Sequence, residues 1–90
     1  MAAGVGNVIG TGFKIERNVS NLDDVNYTSI TSFTGSTASN LPVGSSAFGI
    51  MIAFKSFYIL QMYITFSGEF AVYVRYCFNQ TWNGETWHKL

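Results

Sequence analysis

Ninety residues leave room for one core, yet 48% of them are hydrophobic, 17% aromatic and only 11% charged, about half the roughly 25% charged content usual in soluble domains. Five basic residues balance five acidic ones, which argues against nucleic acid or an anionic membrane surface as a partner, since either needs a field of one sign. Cys77 is the lone cysteine, so an intrachain disulfide is excluded, and no Cys and His residues have the spacing of a structural zinc site.

A small chain with so much apolar side chain, and with neither of those staples, is expected to bury the surplus by forming an oligomer.

Residues 1–12 contain four glycines among small side chains and no sustained period; they read as a flexible arm ahead of a domain spanning 13–90. No basic residue precedes an apolar stretch there, so a cleaved secretion signal is not expected. Phe13, Ile15 and Arg17 alternate with Lys14, Glu16 and Asn18, the period of a short strand over 13–19. Residues 21–26 interrupt it, with Asn21 or Asp23 placed to cap a single helical turn. Alternation resumes over 27–33, and 34–46 is a Ser, Thr, Gly and Asn-rich stretch around Pro42, the only proline. It reads as a long surface loop, the kind on which binding domains often carry their contacts.

Three apolar runs follow, 47–54, 57–66 and 69–78, separated by Lys55-Ser56 and Ser67-Gly68. Short separators between apolar runs predict an antiparallel meander. The Asn83-Gly84 pair predicts one more hairpin, which would set Trp82 and Trp87 opposite or diagonal to each other. The fold class is therefore mainly β: a small antiparallel meander with a short helical turn, assembling as an oligomer. Its strands carry apolar residues on both faces. Tyr58, Leu60, Met62, Ile64 and Phe66 oppose Phe57, Ile59, Gln61, Tyr63 and Thr65, while Phe70, Val72, Val74, Tyr76 and Phe78 oppose Ala71, Tyr73, Arg75 and Cys77. One face wants a loop or a neighbouring subunit, and Phe57, Ile59 and Tyr63 are expected to meet the neighbour. A membrane span over 47–66 has the length to cross a bilayer, but Lys55 near its middle and the β-branched and aromatic bias favour strands, so no membrane insertion is expected.

Little in the sequence can do covalent chemistry. His88 is the only imidazole and lies two residues from the last position, where a solvated role is expected. No spacing singles out a catalytic pair among Glu16, Asp23, Asp24, Glu69 and Glu85, and there is no phosphate-cradling loop or metal-ligand cluster. No catalytic residue, cofactor or metal is expected. Cys77 stands at an interior strand position, as a small hydrophobe would. The Asn-x-Ser/Thr triplets at Asn18, Asn26 and Asn79 arise readily by chance in such a composition. Trp82 and Trp87 have two readings: mutual packing that pins the last strand, or an aromatic platform for the apolar face of a sugar, with Asn79, Gln80 and Asn83 supplying hydrogen bonds.

The order of features is more specific than any of them singly: Asn21-Leu22-Asp23-Asp24, a Tyr-containing strand, a polar loop with Leu41-Pro42, apolar strands, Tyr73-Val74-Arg75, then Trp82 and Trp87-His88-Lys89-Leu90. Over residues 21–90 this resembles the knob domain of R-type pyocin and bacteriophage tail fibres, in which a Tyr-x-Arg strand is followed by two tryptophans and a basic-apolar end. The two tryptophans stand further apart here than is usual in that family, with residues 83–86 between them. The resemblance implies a homotrimeric fibre tip on a virion or virion-like particle that recognises a bacterial cell-surface glycan or protein. It adds Tyr73 and Arg75 to the candidate ligand-binding residues and makes the 1–12 arm a remnant of a fibre shaft. A purely structural knob that registers and caps the trimer is the alternative it leaves.

Overall fold

The structure is a computed structural model and describes residues 13–78, 81–82 and 87–90. The arm expected over 1–12 and the Asn83-Gly84 turn lie outside the described residues. Seven strands form one open sheet: β1 Phe13–Arg17, β2 Thr28–Thr34, β3 Phe48–Lys55, β4 Ile59–Thr65, β5 Ala71–Phe78, β6 Thr81–Trp82 and β7 His88–Lys89. The order is β1-β2-β3-β4-β5-β6, with β7 also on β5. The meander expected of β3, β4 and β5 is present, and β2 joins it antiparallel. Gly68, in the β4–β5 connection, takes the left-handed φ of 75° that its place in the turn suggested.

The sheet is mixed where the sequence predicted a purely antiparallel one, because β1 pairs parallel to β2 from Phe13↔Thr28 to Arg17↔Ser32. Alternation reports which face a residue takes and is silent on strand direction. Parallel neighbours need a crossover, and residues 18–27 supply it. Asn18, at φ 54°, ends β1 and brackets Thr34 with its amide, accepting from the Thr34 N–H at 2.9 Å and donating to its Oγ1 at 2.8 Å. The predicted helical turn forms at Leu22–Asp24, with Asn21 as its cap accepting from the Asp23 N–H at 2.9 Å.

This crossover and the 35–47 loop together roof one face of the sheet. Backbone bonds of 3.1 and 2.9 Å between Leu22, Ser39 and Ser20 zip the two segments to each other. The loop predicted to be a surface feature thus puts Pro42 out of solvent and packs Ala38 and Leu41 on the core. The core is Leu22, Val25, Phe33, Met51, Ala53, Tyr63, Ala71 and Tyr73, with Phe33 edge-on to Tyr63 at 5.5 Å. Tyr63, expected to face a neighbouring subunit, is fully buried here and donates its hydroxyl to the Ser46 carbonyl. Ile59 shares the face of Gln61 and Tyr63 and pairs with Cys77, and Phe57 stands in the β3–β4 turn, so neither belongs to the open face.

The open face is the other one. Ile15, Ile30, Ile52, Met62 and Val74 form one row across five strands, Ile50, Ile64 and Val72 a second, and Phe54, Leu60 and Tyr76 a third. The inner members of these rows are half-buried; Ile15, Phe54, Leu60 and Tyr76 are exposed.

Two outcomes follow from the packing. A Cβ on Gly49 would lie 2.2 Å from the Ile64 carbonyl oxygen on the adjoining strand, so Gly49→Ala is expected to cost about 1–3 kcal/mol, read by urea unfolding. Burial pushes the Tyr63 phenol up to about 12, and burial together with a 2.6 Å bond to Glu16 does the same for Tyr27. Both are raised from 10.0, so the stability they lend is complete below about pH 10 and is lost as pH rises through about 12. Tyrosinate absorbance should show these two titrating late, and Tyr63→Phe should shift the onset of alkaline unfolding.

Candidate functional site

Arg75 is the one charged side chain buried among the described residues, at 3% exposure, and it lies on the roofed face of the sheet. Its Nε donates to Gln61 Oε1 at 2.9 Å and its Nη2 to Asp23 Oδ1 at 2.9 Å. Gln61, opposite Arg75 on β4, turns its Nε2 to the Leu22 and Val25 carbonyls at 2.7 and 3.3 Å. The guanidinium carbon lies 3.9 Å from the Trp82 ring centroid and 4.5 Å from that of Trp87. Burial pulls the Arg75 pKa down and the Asp23 carboxylate pushes it back up; the cation is held by a carboxylate, an amide and two π faces.

Strand pairing brings the indoles there. Trp82 pairs with Cys77, and His88 pairs with Val74, so β6 and β7 both run antiparallel to β5 on the same edge. They are not the two arms of a hairpin, and the tryptophans flank Arg75 instead of facing each other across a turn. Trp87 also donates Nε1–H to the Asn40 carbonyl at 3.0 Å and lies against Tyr63 at 6.5 Å, tying the last strand to the roof.

Of the candidate ligand-binding residues, Trp82, Trp87 and Arg75 thus come together, but as a clamp on the fold. Arg75 has no open surface to offer a ligand, and Tyr73 is a core residue at 6% exposure. Each indole gives ring surface to the guanidinium, which removes the paired platform that a sugar would have used. Asn79, Gln80 and Asn83 lie outside the described residues. Cys77 is buried, as its strand position predicted, and His88 is exposed.

Beyond the clamp lies a cleft of about 520 Å³ lined by Asp23, Asn26, Lys55, Phe57, Ile59, Cys77 and Trp82. Four of these form one transverse row, Lys55↔Ile59↔Cys77↔Trp82. The next row inward, Ala53↔Gln61↔Arg75, lies under the crossover. The roof ends between the two rows, and the cleft is the step where it ends. Among the described residues no three His, Cys, Asp or Glu side chains converge as metal ligands.

Comparison with protein-family models, curated proteins and solved structures finds no match.

Sequence reasoning did not connect Gln61, Asp23, Lys55 and Phe57 with a site. The available signal was polar: Gln61 and Arg75 interrupt apolar strands, and the meander register sets them opposite each other. Removing the carboxylate from the clamp should loosen it. Asp23→Ala is expected to destabilise by roughly 1–3 kcal/mol, moderated because that carboxylate is partly solvated, and to red-shift the tryptophan emission as both indoles gain solvent.

Proposed function

We propose that this chain is a knob module of a fibre-type assembly, associating with copies of itself through the open sheet face and turning the roofed side outward for attachment to a bacterial surface. The observation that carries the reading is the open face. Its rows over β2 to β5 hold Ile30, Ile50, Ile52, Met62, Ile64, Val72 and Val74, with no charged side chain among them. Four strands about 4.8 Å apart and about seven residues long at ~3.3 Å each give a face of roughly 450 Å² in projection. A contiguous apolar patch of that size is often an interaction surface.

A second copy is the occupant that fits. Over β2 to β5 the face carries no charged side chain, so an identical face satisfies it there without charge complementarity. Further burial of half-buried aliphatic groups contributes on the order of 1 kcal/mol each, and the several groups in these rows together offset the entropy of association. The resemblance to tail-fibre knobs supplies the number three and the particle setting, with the chain on a virion. The buried clamp favours assembly over recognition by the tryptophan pair.

Light scattering at micromolar concentration should give a multiple of the chain mass, with a trimer expected. Met62→Asp and Ile64→Lys, both on the open face, should each give a folded monomer or a weakened oligomer. A folded, monomeric wild type would overturn the assembly reading, and an assembled knob that leaves adsorption to bacteria unaffected when added as competitor would reduce it to a structural cap.

A further inference from the structure

We infer that the cleft at the end of the roof is a saccharide site selective for a pyranose that carries a carboxylate, with Phe57 and Trp82 as its walls and Lys55 as the group that reads the charge. The inference rests on the reading that the roofed side faces outward. The floor is Ile59 and Cys77, apolar and supplied by adjoining central strands; the walls are aromatic; the rim is Asn26, Lys55 and Asp23. The cleft's polar rim is extensive for so small a floor, which suits a ligand rich in hydroxyl groups, and about 520 Å³ falls within the usual range of ~300–1,000 Å³ for ligand pockets.

The walls select for ring shape. Phe57 is 76% exposed, held edge-on by Tyr58 at 5.1 Å and against Phe78 at 5.6 Å, so a large aromatic surface is fixed in solvent at the β3–β4 turn. Trp82 is held in place by the Arg75 cation behind it. Such walls favour a ligand with an apolar C–H face and a polar edge. A purely aliphatic ligand would strip water from the rim without replacing its hydrogen bonds. A polyphosphate would need several cationic or backbone donors, and the rim has a single lysine.

Charge at the rim decides between neutral and acidic sugars. Asp23 is already paired with Arg75, and Lys55 has no carboxylate within ion-pair distance among the described residues. Its backbone N–H is fixed to Thr28 Oγ1 at 3.0 Å, which anchors the base of the side chain while the ammonium stays exposed. The unmatched charge at the cleft is therefore positive, and the Asn26 amide beside it can serve hydroxyl groups.

The test is a titration of the isotope-labelled full chain with digalacturonate and with its neutral counterpart, galactobiose, followed by amide chemical shifts at low salt. Digalacturonate should perturb Ile59, Cys77 and Trp82 and bind at least about tenfold more tightly than galactobiose. Lys55→Met should erase that preference, and Phe57→Ala should weaken both sugars together. Both positions are exposed, and dispersed spectra will verify that the variants fold. Equal affinity for the two sugars, shifts confined to other surfaces, or a preference that survives Lys55→Met would overturn the inference. Measuring mass on the same samples separates the two readings: an oligomer without cleft binding defeats this inference alone, and a monomer that binds digalacturonate defeats the assembly reading alone.

Discussion

The sheet of this protein presents apolar side chains on both faces, and its described non-strand segments roof one of them. The division of the faces follows from what a roof of irregular chain requires. Crossover and loop segments bring carbonyl groups that no ladder satisfies, and each must find a donor once it is pressed onto a sheet. The roofed face supplies such donors: Gln61 to Leu22 and Val25, Tyr63 to Ser46, Trp87 to Asn40. Small residues beside them, Ser29, Ala53 and Ala71, are buried under the roof. The more polar face is thus the covered one, and the more uniformly aliphatic face is left open.

That inversion explains where sequence reasoning succeeded and where it failed. Strand positions were legible, since alternation over 27–33 and the apolar runs of the second half mark β2 to β5 to within about two residues at each end. The Asn21 cap was legible for the same local reason. Tyr63 was assigned to the neighbour because its strand face also carries Gln61 and Thr65, which made that face look like the outer one. Polar residues on a strand usually meet water; here they meet loop carbonyls, and nothing local distinguishes the two. The direction of β1 and the shared edge of β6 and β7 depend on the crossover and on pairings remote in sequence.

The tryptophans illustrate the same limit for the site. Their spacing and the Asn-Gly pair between them pointed to a hairpin and so to a platform. What decides their position is Arg75, a cation on an otherwise apolar strand that needs counter-charge and π surface when it is buried. Three of the candidate residues, Arg75, Trp82 and Trp87, lie at one locus, and there the buried guanidinium is held by the fold.

The clamp and the cleft share Trp82, and this links stability to recognition. The Arg75 cation on one side of the indole restrains it, so the wall it presents to the adjoining cleft is ordered before any ligand arrives. Preorganisation of that kind lowers the entropic cost of binding. Asp23 has the same double position: one oxygen holds Arg75, and the residue also lines the cleft. Any change that loosens the clamp therefore alters both the fit of the roof and the shape of the cleft, while the open face meets the cleft through aromatic rings: Phe57 lies 5.6 Å from Phe78 and 5.1 Å from Tyr58, which in turn lies 6.1 Å from Tyr76 of the third row.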